Sequence, residues 1–120
     1  MKSRLYLETT IPSYLTSRPS RDLIIAGHQE ITREWWEKRR DIFQLYISQL
    51  VVDEASSGDP VAARDAAHIA IAAVHGMDFL VTWNCVHIAN AANAKALASI
   101  CRAHACECPV ICTPEELMGE

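Results

Sequence analysis

The chain has 120 residues, 50% hydrophobic and 22% charged, with eleven Lys and Arg against fifteen Asp and Glu and a formal net charge of −4. That composition is ordinary for one globular domain, here residues 1–120, and it excludes disordered and collagen-like classes. The acidic balance argues against broad, sequence-blind coating of nucleic acid, and no segment reaches the roughly 18 apolar residues of a membrane span.

Arg4-Leu5-Tyr6-Leu7 reads as a short strand that stops at Glu8, followed by turn-and-helix punctuation at Thr9-Thr10-Ile11-Pro12-Ser13. Glu8 also interrupts the place where a signal peptide's apolar region would run, so a cytoplasmic protein is expected. A long helix comes next, with Ile24, His28, Ile31 and Trp35 on one stripe and Ser20 as its N-cap. The apolar run Ile47 to Val52 predicts a strand buried on both faces and ending at Asp53-Glu54. Ser56-Ser57-Gly58-Asp59-Pro60 breaks the chain, and Asp59 and Pro60 predict the N-cap and first position of a helix that Gly76 closes. Phe79 to Trp83 predicts another strand, ending at Asn84, and an alanine-rich helix follows from His87 to Arg102. Pro109 to Cys112 makes a last strand, and Thr113-Pro114-Glu115-Glu116 has the pattern of a capping box that opens a final helical turn. Strands alternating with helices predict an α/β domain with a mainly parallel sheet.

Ligands of open parallel sheets bind beyond the carboxyl ends of the strands. Glu8, Asp53-Glu54 and Asn84 fall at three such ends, and Asp65 lies early in the crossover helix on the same face as His68. Acids gathered without basic partners repel unless a cation lies among them, and hard oxygen ligands suit Mg²⁺ or Mn²⁺. Such an ion can activate water against a phosphodiester. The same residues also serve as turn formers and helix caps, and a histidine such as His68 is commonly a satisfied core residue. Asp53 and Glu54 point to opposite faces of a strand, so one of the two enters the cleft. Trp35 and Trp36 beside Arg33, Lys38, Arg39 and Arg40 form a candidate base-stacking and phosphate-holding patch, or the wet face of a packed helix. Phosphate-binding glycine loops are absent from the sequence. The five cysteines, Cys85, Cys101, Cys106, Cys108 and Cys112, are expected to stay reduced. Cys101, His104, Cys106 and Cys108 crowd together without the usual two-residue gap of a structural zinc site.

Tyr6-Leu7-Glu8-Thr9-Thr10-Ile11-Pro12-Ser13-Tyr14-Leu15, Ser48 to Ala55, Arg64-Asp65-Ala66-Ala67-His68-Ile69-Ala70, Leu80 to Cys85 and Ile111 to Leu117 together resemble the PIN-domain ribonucleases, specifically the VapC-like toxins of type II toxin-antitoxin pairs. The resemblance implies a three-layer α/β/α fold and a metal-dependent endoribonuclease that uses Mg²⁺ or Mn²⁺. It implies Glu8, Glu54 and Asp65 as metal ligands, with Asn84 in a fourth, often acidic, position as a neutral ligand or a group orienting water. It selects Glu54 over Asp53, and it leaves His68 at most in a supporting role. RNA as substrate and a small antitoxin whose tail covers the cleft are the implied partners.

The family carries a further helix, an edge strand and another helix between Pro60 and Val61, and this chain lacks them, leaving about four strands. The strand Ile47 to Val52 is then expected to lie exposed at the sheet edge and to be covered in a homodimer or by strand exchange. The alternative to an enzyme is a shortened, catalytically silent PIN-like module that keeps antitoxin binding or self-association. A metal-thiolate protein built on Cys101, His104, Cys106 and Cys108 is a third reading.

Overall fold

The computed structural model describes residues 2–57, 62–84, 98–99, 101–103 and 105–119, without the side chains of 55–57 and 62–66. Four strands, β1 (Ser3–Leu7), β2 (Phe43–Tyr46), β3 (Phe79–Val81) and β4 (Val110–Cys112), form one sheet in the order β2-β1-β3-β4, parallel throughout. Four α-helices are described: α1 (Thr10–Thr16), α2 (Leu23–Arg39), α3 (Gln49–Ser57) and α4 (Ala62–Val74). None among the described residues is long and apolar enough to cross a membrane.

Alternation along the strands builds the layers. Leu5 and Leu7 of β1, Phe43 of β2 and Val81 of β3 pack with Ile11 of α1 and Trp35 of α2 on one face. Tyr6 and Leu80, one residue out of step, pack with Val51 of α3 and with Ile69 and Ala72 of α4 on the other. The result is the expected α/β/α sandwich, and it directs the side chain after Leu7, that of Glu8, toward the α3/α4 layer.

The segment Ile47 to Val52 is not a strand. The strand lies just before it, at Phe43–Tyr46, and Ser48 starts a helix by accepting the backbone N–H groups of Val51 and Val52. Val51 and Glu54 are buried while Val52 and Asp53 are exposed, the three-residue spacing of a helix face. Tertiary packing thus overrides the β preference of the valines. Among the described residues the edge strand on this side is therefore β2, and Glu54 reaches the site from a helix.

In α2 the cap is Asp22, whose carboxylate accepts from Ile24 N and Ile25 N, while Ser20 Oγ accepts from Asp22 N. Ile24 is 71% exposed, and the fully buried positions of this helix are Gln29, Thr32 and Trp35. The polar pair is tolerated because it is bonded: Gln29 accepts from Ser20 N and donates to Arg18 O. Thr32 Oγ1 donates to His28 O and accepts from Trp83 Nε1 at 2.6 Å. Trp83 also stacks on His28, the ring centroids 3.9 Å apart, so α2 is clamped to the end of β3. Thr32→Val is expected to leave the indole N–H unpaired and to cost about 1–3 kcal/mol in urea unfolding.

Gly76, at φ +68°, closes α4 as expected, in a conformation that disfavours any residue with a side chain. The capping box forms, with Thr113 N donating to Glu116 Oε1 and Glu116 N to Thr113 Oγ1, but Pro114–Leu117 is a turn and not a helix. The predicted cap at Asp59-Pro60 and most of the alanine-rich helix lie outside the described residues.

Candidate metal centre

Glu8, Glu54 and His68 arrive from the end of β1, from α3 and from α4 and meet beneath the sheet's carboxyl edge. One donor atom from each lies within 4.8 Å of the other two. Their exposures are 4%, 4% and 0%.

Two threonines hold Glu8 and one holds Glu54. Glu8 Oε1 accepts three hydrogen bonds, from Thr10 N, Thr10 Oγ1 and Thr82 Oγ1, whereas Oε2 accepts none among the described residues. Both hydroxyls are themselves anchored, Thr10 by Trp83 N and Thr82 by Asn84 N. Glu54 Oε1 accepts from Thr9 Oγ1 and pairs with His68 Nε2. His68 Nδ1 lies 2.6 Å from the hydroxyl of Tyr6, which is in turn 2.8 Å from Ser48 Oγ. Burial pushes the Tyr6 phenol above its ordinary pKa; the Ser48 hydrogen bond opposes this, and the charges of Glu8 and Glu54 add to it.

No Lys or Arg pairs with Glu8 among the described residues. Two buried carboxylates in such proximity call for positive charge, which the imidazole of His68 answers only when protonated. The donor set fits a divalent ion. The three donor atoms lie within 4.8 Å of one another, and two carboxylates with an imidazole suit Mn²⁺, Zn²⁺ or Fe²⁺, with Mg²⁺ taken by the carboxylates and water.

Of the four residues singled out in the sequence, Glu8 and Glu54 are brought together. Asn84 is tied to the site through its backbone N–H on Thr82, which binds Glu8. Asp65 sits on α4 one turn before His68, and its side chain lies outside the described residues. His68 is more central than the sequence suggested, and its i, i+3 spacing from Asp65 was the available signal. Thr9, Thr10, Thr82, Tyr6 and Ser48 had none beyond proximity to Glu8 or to the β2–α3 junction.

The other candidates fare differently. Trp35 is fully buried against Phe43 and cannot stack on a base, while Trp36 is covered by the Arg40 guanidinium at 5.1 Å. Arg33 pairs with Glu30 and Lys38 with Glu34, and Arg39 donates to Leu117 O, so the basic run is largely answered within the chain. Cys101, Cys106, Cys108 and Cys112 are in no disulfide and do not form a three-ligand group among the described residues; Cys85 and His104 lie outside them. Burial raises Cys108 to about 11, with the Cys101 thiol adding to the effect, and Cys112 to about 12.

Comparison of the chain with protein-family models, with curated proteins and with solved structures gave no match.

Proposed function

We propose that the chain is a metal-dependent endoribonuclease of PIN-like design, the toxin of a toxin-antitoxin pair. One observation carries the reading: Glu8 and Glu54, 46 positions apart in sequence, converge with His68 in a buried group whose spacing suits a divalent ion.

Glu8 and Glu54 would hold the ion, with Asp65 completing the set from α4. A bound Mg²⁺ or Mn²⁺ supplies a water of lowered pKa and positive charge at the leaving oxygen of a phosphodiester. The chain's own contribution is orientation. Thr10 and Thr82 pin Glu8 through one oxygen, and Thr9 and His68 pin Glu54, so neither carboxylate must reorganise when an ion enters. Asn84, whose backbone N–H donates to Thr82 Oγ1, would orient water or substrate. The proposed partners are RNA, an antitoxin and a second copy pairing through the edge strand β2.

Purified protein with Mg²⁺ or Mn²⁺ is expected to cleave single-stranded RNA, to stop when EDTA is added, and to recover on addition of excess metal. The 4% exposure of Glu8 and Glu54 favours a second reading, a silent module in which the acids are structural. RNA left intact under every metal condition, together with no heat of metal binding, selects that reading.

A further inference from the structure

Arg4 carries a charge that the fold holds in place and leaves unanswered. Its backbone is fixed on both sides by Asp78, whose carboxylate accepts from Arg4 N at 2.7 Å and whose N–H donates to Arg4 O at 2.8 Å. The guanidinium lies over the Tyr46 ring, 5.1 Å from its centroid, and beside Gly76, where a Cβ would stand 3.6 Å from Nη1. No carboxylate pairs with it among the described residues.

Around this cation the topology leaves a cavity of about 290 Å³. Parallel pairing sets Tyr6 beside Tyr46, so Arg4 and Tyr46 both fall on the α3/α4 face of the sheet. The end of α4 brings up Ile71 and, four residues on, His75, and Met77 follows the turn at Gly76. Ile47, 56% exposed, extends the apolar wall. Tyr6 and Ser48 line the cavity too, but their hydroxyls are bonded to each other at 2.8 Å. None of the lining residues is acidic, in a chain whose formal net charge is −4. Apolar walls, one fixed charge and a volume at the lower end of the ligand-site range describe a place for a small amphipathic anion.

We propose that this cavity binds a small aromatic monocarboxylate, its carboxylate taken by the fork of Arg4 and its ring lying among Tyr46, Ile71 and Met77. A guanidinium matches the two oxygens of a carboxylate, and the half-buried setting of Arg4 limits screening of the pair by water. The walls call for an apolar body beside the Tyr46 ring, which an inorganic anion lacks. The inference does not depend on an ion at Glu8 and Glu54.

The test is a titration of the ¹⁵N-labelled full chain with sodium benzoate, at neutral pH in metal-free buffer, followed by proton–nitrogen correlation spectra. Saturable shifts are expected at the amides of Tyr46 to Ser48 and Ile71 to Met77. Benzyl alcohol, which has the ring without the charge, is expected to bind about 10-fold or more weakly, the scale of one lost hydrogen bond to a charged group. Inorganic phosphate, which has the charge without the ring, is expected to leave those amides unshifted at the same concentrations. Arg4→Met keeps an apolar stem against Tyr46 and is expected to weaken benzoate binding by the same factor, with a melting curve that stays cooperative. Should Arg4→Met not fold, the three probes on the wild type decide alone. Absence of saturable shifts, shifts that map elsewhere, equal affinity for benzyl alcohol, or phosphate binding as tight as benzoate overturns the proposal. Neither RNA cleavage nor metal binding enters the readout, so its failure and that of the nuclease reading are told apart.

Discussion

Glu54→Gln is expected to lower metal-dependent RNA cleavage by at least about 100-fold, the scale of losing one preorganised electrostatic group at a reacting centre. The substitution keeps the shape of the side chain and one acceptor oxygen, and it removes the negative charge that would hold the ion. Thr9 Oγ1 and His68 Nε2 both meet the same oxygen, Oε1, so the amide oxygen of glutamine can keep that position and the loss is one of charge. Binding of Mg²⁺ or Mn²⁺ measured by calorimetry should fall in parallel, because the loss occurs before any chemistry. A Glu54→Gln protein that cleaves RNA within a few-fold of wild type would mean that Glu54 holds no ion.

The largest effect on stability is expected at Trp35, which is fully buried between α2 and the sheet and packs on Phe43. Trp35→Ala should cost about 3–5 kcal/mol in urea unfolding, for lost apolar burial and the cavity left behind. Out of total stabilities of roughly 5–15 kcal/mol, that is enough to leave a marginal fold. Trp35→Phe should cost far less than its lost volume suggests. The indole Nε1 is buried and has no hydrogen-bond partner among the described residues, a desolvation cost of about 1–3 kcal/mol that phenylalanine removes. Equal losses in the alanine and phenylalanine variants would contradict this account of the indole.

Much of the fold is legible in the sequence because hydrophobic burial writes it there. Leu5 and Leu7 against Tyr6, and Phe79 and Val81 against Leu80, alternate as a sheet covered on both faces demands. The errors fall where a second force outweighs hydropathy. Val51 and Val52 favour a strand by propensity, yet α3 buries only Val51 and turns Glu54 inward beside it, a pattern set by contacts that do not exist in the local sequence. In α2 the buried stripe runs through Gln29 and Thr32, whose burial depends on partners at Arg18, Ser20, His28 and Trp83. Glu8 was readable as a candidate because charge at a strand end is conspicuous, whereas Glu54 was expected at a strand end, lies on a helix, and was selected over Asp53 by the family resemblance. The threonines and Tyr6 that hold them were not, because a hydroxyl acquires its role only once the acceptor is folded against it.

The central claim is that Glu8 and Glu54 share a divalent ion. Anomalous diffraction from crystals soaked in MnCl₂ tests it most directly. The account predicts a strong manganese peak bonded to a carboxylate oxygen of each, next to His68. Manganese found only at surface acids, with the Glu8 and Glu54 pocket vacant at saturating ion, would contradict it.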